Sequence, residues 1–148
     1  MSVTIRPLTP EDQAEWVSLW HGYLVYYKSE VPDEVTRTTW DRLIDPEFPI
    51  DGFCACDAAG QMLGFVHYMF HPVTWAIGPR CYLEDLFTSE DARGKGVGRA
   101  LIEAVAQEAK LEGADQLYWL TEDYNTRAHA LYDKLATKTH FIKYMKTL

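Results

Sequence analysis

The spacing of apolar residues first predicts helices. After Thr9 and Pro10, which suit a helix N-cap and a first helical position, apolar and aromatic residues recur every three or four positions. This period predicts an amphipathic helix whose apolar face carries Trp16, Leu19, Trp20, Tyr23 and Tyr27. A second helix is expected over residues 35–44, and it ends at the pair Asp45 and Pro46.

Shorter apolar runs predict strands between and after these helices. Aromatic, aliphatic and β-branched residues cluster at residues 3–6, 53–56, 62–70, 82–88, 117–120 and 141–145. Turn residues at 57–60 join two of these runs into a β-hairpin. A helical period returns at Val97 and stops at Gly113, and a last helix is expected after Asn125. The order β-α-α-β-β-β-α-β-α-β predicts an α+β fold, an α/β sandwich with a mixed sheet.

Length and composition are those of one globular domain. The chain has 148 residues and a mass of 17.0 kDa, and 47% of its residues are apolar, which suffices for a sizeable core. No apolar run approaches the length of a transmembrane helix, and the N-terminus has no basic-then-apolar signal region. We therefore expect one domain over residues 1–148, located in the cytoplasm and without a membrane as partner.

Charge and cysteine content disfavour several partners. The net charge of −8 disfavours nucleic acid, whose phosphates would be repelled, and mildly favours a cationic substrate. Three cysteines argue against a disulfide framework, and Cys54 and Cys56 share a strand face where they are poorly placed to bond each other. His67 and His71 are four apart on a strand, a spacing that does not converge two ligands. We therefore expect buried thiols and no metal.

Three glycines lie between the strand at 82–88 and the helix that begins near Val97. Gly94, Gly96 and Gly98 leave backbone N–H groups bare at a helix start, where the helix dipole is positive. This predicts a site for phosphate oxygens, flanked by the basic residues Arg93, Lys95 and Arg99. The spacing is neither a dinucleotide fingerprint nor a P-loop. The alternative is a glycine turn that backbone geometry alone requires.

The same stretch resembles a known family. Arg93-x-x-Gly96-x-Gly98 matches the R/Q-x-x-G-x-G/A signature of the GNAT N-acetyltransferases, and the order of elements over essentially the whole chain is similar to the GNAT order. Residues 82–87 resemble the spermidine/spermine (diamine) acetyltransferases and the yeast histone- and polyamine-acetylating relatives. So does Asn125 followed by Tyr132. The resemblance implies a mixed, mostly antiparallel sheet flanked by helices, acetyl-CoA as co-substrate, and a homodimer.

The resemblance also implies which residues bind the cofactor. It puts the acetyl-CoA pyrophosphate on Arg93, Gly94, Lys95, Gly96, Val97, Gly98 and Arg99. The backbone of Leu86 and Thr88 would pair with pantetheine like an added strand, and a backbone N–H there would meet the developing oxyanion. Asn125 would hold the cofactor or only cap its helix. The chain departs from the family after Tyr132, where residues 134–140 lack a Gly found in many members and include an insertion.

Acetyl transfer to an amine requires a neutral nitrogen. An alkyl ammonium has a pKa of about 10.4, so deprotonating it at neutral pH costs about 4–5 kcal/mol. A nearby carboxylate attracts the cation and takes its proton, and the candidate is Glu84, which strand alternation puts on the face of Leu86 and Thr88, opposite Asp85. The alternative for Glu84 is a structural carboxylate. By resemblance, Tyr132 would protonate the departing thiolate; the alternative is a core tyrosine.

Several aromatic and histidine side chains are weaker candidates for the acceptor pocket. Tyr23, Tyr26 or Tyr27 would reach the pocket from the first helix, although an amphipathic core face is the simpler interpretation. His71 faces the substrate if the loop after it leads into the central strand. Trp75 lies in that loop, either as an anchor or as a ligand contact.

Three functions fit this sequence. The first is acetyl transfer from acetyl-CoA to the primary amine of a small cationic molecule, by direct attack in a ternary complex. The second is acetylation of a protein N-terminus or lysine. The third is a non-catalytic acetyl-CoA sensor, for which Gly96 and Gly98 suffice and Glu84 and Tyr132 do not matter.

Overall fold

A computed structural model describes residues 2–148 of the chain. The α-helices are α1 Gln13–Tyr26, α2 Asp33–Ile44, α3 Val97–Leu111 and α4 Thr126–Leu135. The strands are β1 Thr4–Pro7, β2 Asp51–Cys56, β3 Met62–His71, β4 Arg80–Thr88 and β5 Leu117–Tyr118. Short 3-10 turns at Pro10–Asp12 and Glu90–Ala92 precede α1 and α3. The predicted order of elements is therefore confirmed as far as α4.

The strands form one sheet with the spatial order β1-β2-β3-β4-β5. The first four strands are antiparallel to their neighbours, and β5 is parallel to β4. A cluster containing Leu101 and Val105 packs α3 against one face. A second cluster, rich in aromatic rings and including Trp16 and Trp40, packs α1 and α2 against the other face. The predicted mixed and mostly antiparallel sandwich is confirmed.

The start of α1 is fixed to β1 through one carboxylate. Asp12 accepts hydrogen bonds from both Arg6 guanidinium nitrogens, at 2.8 and 2.9 Å, and from the Thr9 N–H at 2.8 Å. The hydrogen bonds from Arg6 lower the pKa of Asp12 to about 2. The predicted helix start at Thr9 is confirmed, with a 3-10 turn before the α-helix proper.

Strand β4 separates from the edge strand β5 after a short pairing. β4 and β5 pair only at Cys81 with Leu117 and at Tyr82 with Tyr118. Beyond Tyr82 the chain of β5 diverges, so the second half of β4 has β3 on one side and an open edge on the other. An open strand edge presents unpaired N–H and C=O groups that an extended ligand can pair with.

A β-bulge interrupts the pairing of β4 with β3. Tyr68 lies opposite Leu83 and His67 lies opposite Asp85, so Glu84 has no opposite residue on β3. An inserted residue bends the strand and breaks its two-residue alternation.

The bulge corrects the predicted orientation of the two carboxylates. Alternation puts Glu84 on the face of Leu86 and Thr88, with Asp85 on the other face. Leu86 packs against the cluster on the α3 side. Leu83 packs against the same cluster, so the inserted residue puts Glu84 and Asp85 together between two residues of the α3 side, and Asp85 accepts a hydrogen bond from the Tyr23 hydroxyl of α1. Both carboxylates therefore act on the α1 side, and the prediction that they face opposite ways was wrong.

The closing strand predicted at residues 141–145 is absent from the described chain, and that prediction was wrong. No helix or strand follows α4 within residues 136–148, and the side chains of Phe141 and Tyr144 are 93% and 91% exposed. A strand needs a hydrogen-bonding edge, and β5, predicted over residues 117–120, ends at Tyr118. Apolar side chains alone therefore did not suffice to make a strand here.

The cysteines are buried free thiols, as predicted. Cys54, Cys56 and Cys81 form no disulfide. Burial raises the pKa of both Cys54 and Cys81 to about 12, so they are neutral at physiological pH. Separately, none of the helices within residues 2–148 is both long and apolar enough to cross a membrane.

Candidate active site

The glycine turn presents backbone donors at the start of α3. Gly94 and Gly96 have φ of 77° and 80°, in the left-handed region that favours glycine. The first helical hydrogen bond runs from the Ala100 N–H to the Gly96 carbonyl at 3.0 Å. The N–H groups of residues 97–99 precede it and have no partner within the helix. Together with the positive end of the helix dipole, they form an anion-binding arrangement.

Two of the three basic side chains around this turn, those of Arg93 and Arg99, already have partners inside the protein. The Arg93 guanidinium lies 5.0 Å from the ring centre of Tyr26, and its Nε–H donates to the Thr88 carbonyl at 3.3 Å. Arg99 pairs with Glu103 at 3.0 Å, where both side chains are more than half exposed. The anion-binding character therefore rests mainly on backbone N–H groups.

The glycine turn, the open edge of β4 and α4 come together at Gly98. A Cβ placed on Gly98 would lie 3.7 Å from Cδ2 of Leu131 in α4 and 3.9 Å from Oγ1 of Thr88. Leu86 contacts the same region and packs with Leu131 against the α3-side cluster. The predicted cofactor residues of β4 and of the turn therefore line one continuous surface.

Tyr132 lies on α4 and is partly buried against the α3-side cluster. Its ring centre lies 5.3 Å from that of Trp119. Burial raises the pKa of Tyr132 to about 12, and the neighbouring phenols of Tyr27 and Tyr26 add to the shift. The group is therefore fully protonated at neutral pH, as a proton donor must be.

A buried hydrogen-bonded chain connects α1, β3 and β4, and the sequence analysis did not find it. The Trp16 Nε1–H donates to Nε2 of His67 at 3.0 Å. Nδ1 of His67 lies 2.9 Å from Oδ2 of Asp85, and the Tyr23 hydroxyl donates to Oδ1 of Asp85 at 2.7 Å. We call these four residues the Trp16–His67–Asp85–Tyr23 chain. Its hydrogen-bonded partners are far apart in sequence. The only sequence signals for this chain were the aromatic face of α1 and the position of His67 on a strand.

Glu84 is exposed, next to the end of this chain. Burial raises the pKa of Tyr82, and the charge of Glu84 raises it further. The Glu84 charge also acts on Tyr23. At the bulge, the exposed carboxylate of Glu84 therefore lies beside the largely enclosed carboxylate of Asp85. Two negative groups therefore lie near each other on the α1 side of β4.

The weaker acceptor candidates occupy different surroundings. The ring of His71 is oriented by Pro72, whose carbonyl lies 2.9 Å from Nδ1, and by the Tyr118 hydroxyl, 2.9 Å from Nε2. Tyr27 is 41% exposed at the end of α1, with its ring centre 5.0 Å from that of Tyr23. The side chain of Trp75 is 90% exposed. Of these three, Tyr27 contacts the residue whose hydroxyl donates to Asp85, namely Tyr23.

Asn125 caps α4. Its Oδ1 accepts a hydrogen bond from the Ala128 N–H at 3.2 Å, which is the ordinary role of an asparagine N-cap. No cluster of three or more His, Cys, Asp or Glu side chains among residues 2–148 is arranged to hold a metal ion.

Comparison with known proteins identifies the family. The sequence profile of the Acetyltransferase (GNAT) family matches residues 16–136. A D-amino-acid N-acetyltransferase of Saccharomyces cerevisiae is 39% identical over 145 residues, which cover 97% of this chain and 90% of that protein. The chain belongs to the GNAT acetyltransferase family. It is accordingly an acetyl-CoA-dependent N-acetyltransferase, as the resemblance of Arg93-x-x-Gly96-x-Gly98 implied.

Other GNAT proteins are similar over shorter or more divergent stretches. An aminoglycoside N(6')-acetyltransferase of Stenotrophomonas maltophilia is 31% identical, over 86% of this chain and 80% of that protein. Among solved structures, AAC(6')-Iy in complex with a bisubstrate analog has a TM-score of 0.85 at 19% identity, covering 100% of this chain and 99% of that chain. At that identity, the structural likeness shows that the GNAT fold is shared.

Proposed function

We propose that this enzyme transfers the acetyl group of acetyl-CoA directly to the primary amine of a small cationic molecule, in a ternary complex. The observation that carries the proposal is the pair of carboxylates, Glu84 and Asp85, at the bulge beside the open edge of β4. A negative site favours a cation over a neutral or anionic acceptor. The yeast relative, named as a D-amino-acid N-acetyltransferase, supports a small amine over a protein.

The proposed cofactor site runs along the α3 side of β4. The N–H groups of residues 94–99 bind the pyrophosphate, since helix starts with glycine turns suit phosphate oxygens. Pantetheine pairs with the open edge at Leu86 and Thr88, as an added strand would. A backbone N–H of the same edge stabilises the oxyanion that develops on the thioester. Asn125 contributes at most its amide N–H₂, because its Oδ1 already caps α4.

The proposed reaction needs one proton acceptor and one donor. The amine nitrogen attacks the thioester carbonyl carbon, so that a C–N bond forms and the C–S bond then breaks. Glu84 takes the proton of the ammonium before the attack, directly or through water, and the second proton, which the nitrogen releases as the amide forms, passes to solvent. The phenol of Tyr132, which is protonated at neutral pH, gives its proton to the departing thiolate. The products are the N-acetylated amine and free CoA.

The test is a thiol-release assay with acetyl-CoA and a panel of acceptors. The panel holds D- and L-amino acids including D-lysine, polyamines, an aminoglycoside, and peptides with free N-termini or lysines. We expect turnover on small amines, with higher kcat/KM for those carrying an additional positive charge. Turnover on peptides alone would favour protein acetylation. Acetyl-CoA binding without turnover on any acceptor would favour a sensor.

A further inference from the structure

We propose that His67 and Trp16 are positioning residues, which hold Asp85 as a charged and immobile carboxylate next to the acceptor amine. This rests on the proposed function in one respect, namely that the acceptor is cationic. Both residues are buried, so neither contacts the acceptor itself. They act through Asp85, which shares the bulge with Glu84.

The hydrogen bonds fix the protonation state of His67. An indole N–H can only donate, so Nε2 of His67, 3.0 Å from the Trp16 nitrogen, must be an unprotonated acceptor. The imidazole proton therefore lies on Nδ1, which donates to Oδ2 of Asp85 at 2.9 Å. A neutral ring with Nδ1–H is the only form that satisfies both contacts. His67 cannot become imidazolium without losing the hydrogen bond from Trp16.

A neutral His67 leaves the charge of Asp85 uncompensated. An imidazolium at 2.9 Å would form an ion pair and cancel much of the attraction for a cationic substrate. The neutral ring instead supplies one hydrogen bond, and the Tyr23 hydroxyl supplies another to the second oxygen. Both oxygens of Asp85 are thereby held in place while the carboxylate keeps its full charge.

Packing makes this arrangement rigid. Trp16 is fully buried, the His67 side chain is 2% exposed, and the ring of Phe65 stacks on His67 with centres 4.6 Å apart. The Asp85 side chain is 17% exposed, so one part of it remains accessible. The groups that face His67 and titrate are Asp85 from β4 and Tyr23 from α1, with Glu84 beyond them. The chain is buried at Trp16 and His67 and accessible at Asp85, so it can hold the Asp85 charge in a fixed position.

The first test reads the tautomer of His67 directly in the wild-type enzyme. Two-bond ¹H–¹⁵N NMR spectra of ¹⁵N-histidine-labelled protein distinguish Nδ1–H, Nε2–H and imidazolium forms, and a His67→Gln variant assigns the signal. We expect the Nδ1–H form at neutral pH, as the two hydrogen bonds of the ring require. An Nε2–H tautomer or an imidazolium under the same conditions would overturn the proposal.

The second test uses two amide substitutions that each keep one hydrogen bond of His67. The amide of His67→Asn replaces Nδ1 and can still donate to Asp85, whereas that of His67→Gln replaces Nε2 and reaches only Trp16. We expect His67→Gln to raise the KM for D-lysine about tenfold, the effect of losing a hydrogen bond to a charged group. His67→Asn should recover most of this loss, and the KM for acetyl-CoA should stay within about twofold in both.

The two readouts separate failure of this inference from failure of the proposed function. Equal effects of the two amides on D-lysine, or a parallel rise in the KM for acetyl-CoA, would reduce His67 to a packing role. If both variants fail to fold, variants of the other four histidines assign the His67 signal by elimination, and the wild-type tautomer still decides. If the enzyme accepts no small amine at all, the proposed function is wrong, and the NMR spectra alone establish whether His67 holds Asp85 as described.

Discussion

The two sides of β4 are built by different means. The cofactor side, formed by residues 93–99 and the open edge of β4, offers backbone N–H groups, while Arg93 and Arg99 have partners within the protein. The acceptor side, formed by Glu84 and the Trp16–His67–Asp85–Tyr23 chain, offers side-chain groups. Backbone donors suit a cofactor shared by a whole family, whereas side chains can change with the acceptor. The cofactor side should therefore depend on glycines and the acceptor side on functional groups.

Tyr132 is the proposed proton donor, and its replacement should have the largest effect. Tyr132→Phe keeps the ring against Trp119 but removes the hydroxyl. General acid catalysis contributes about 10²–10⁴-fold, so kcat should fall by that factor while the KM values change little. Stopped-flow thiol release on the wild type and the variant measures this, with melting temperature as the control for packing. Turnover at the parent rate would show that water or another group protonates the sulfur.

The raised pKa of Tyr132 adds a pH expectation to the same experiment. A phenol with a pKa of about 12 keeps its proton as the pH rises, and loses it only near that value. The wild-type kcat should therefore show no alkaline limb from this acid between about pH 7 and 10, whereas an unperturbed phenol would begin to lose its proton near 10. An alkaline limb that appears at pH 9 in the wild type and is missing in Tyr132→Phe would contradict this.

Glu84 tests whether the acceptor side acts through its functional groups. Glu84→Gln keeps the size of the side chain but cannot take a proton, so kcat/KM for the amine should fall about 10²-fold. This lies at the low end of general-base effects, because water can replace the carboxylate as proton acceptor. The loss should be greatest at low pH, where the amine is most protonated. Acetyl-CoA affinity, measured by calorimetry, should be unchanged. Wild-type kcat/KM at every pH would make Glu84 structural.

The same contrast explains what the sequence could predict. The cofactor side lies within one stretch, where the glycines, the basic residues and the start of α3 are neighbours in the chain, so a local motif sufficed. The acceptor side joins Trp16, Tyr23, His67 and Asp85, whose hydrogen-bonded pairs are 18 to 62 positions apart in sequence. Only the pairing of β3 with β4 and the packing of α1 bring them together, and neither has a local signature.

Two errors have specific physical causes. The orientation of Glu84 was wrong because an inserted residue at the bulge shifts the alternation of β4, and no sequence pattern marked the insertion. The strand at residues 141–145 was wrong because apolar composition does not supply a partner edge, and β5 pairs over only two positions. Elements whose formation depends on local residues were predicted closely. An example is α3, which was predicted to begin at Val97 and to stop at Gly113 and which spans Val97–Leu111.

A pair of glycine variants tests the dependence of the cofactor side on its backbone. Gly96 and Gly60 have φ of 80° and 86°, and a Cβ at either would meet no atom within 4 Å, so alanine strains both backbones alike. Gly60 lies in the β2–β3 turn, outside residues 93–99. Gly96→Ala should weaken CoA binding about tenfold in calorimetry through close approach to the phosphates, and Gly60→Ala should not. Equal affinities for the two variants would put the pyrophosphate elsewhere.

Asn125 allows the finest distinction, and the smallest effect is expected there. Asn125→Asp keeps an oxygen that can accept from the Ala128 N–H, whereas Asn125→Ala removes the cap. If capping is its main role, Asn125→Ala should lose about 1 kcal/mol of unfolding free energy, and Asn125→Asp should lose less than half of that. CoA affinity should change by less than about twofold in both, since loss of one neutral hydrogen bond is a modest effect. Urea unfolding and calorimetry measure the two quantities separately. A selective loss of affinity in Asn125→Asp, with stability intact, would instead assign the amide N–H₂ to the cofactor and make this residue an exception to the backbone character of the cofactor side.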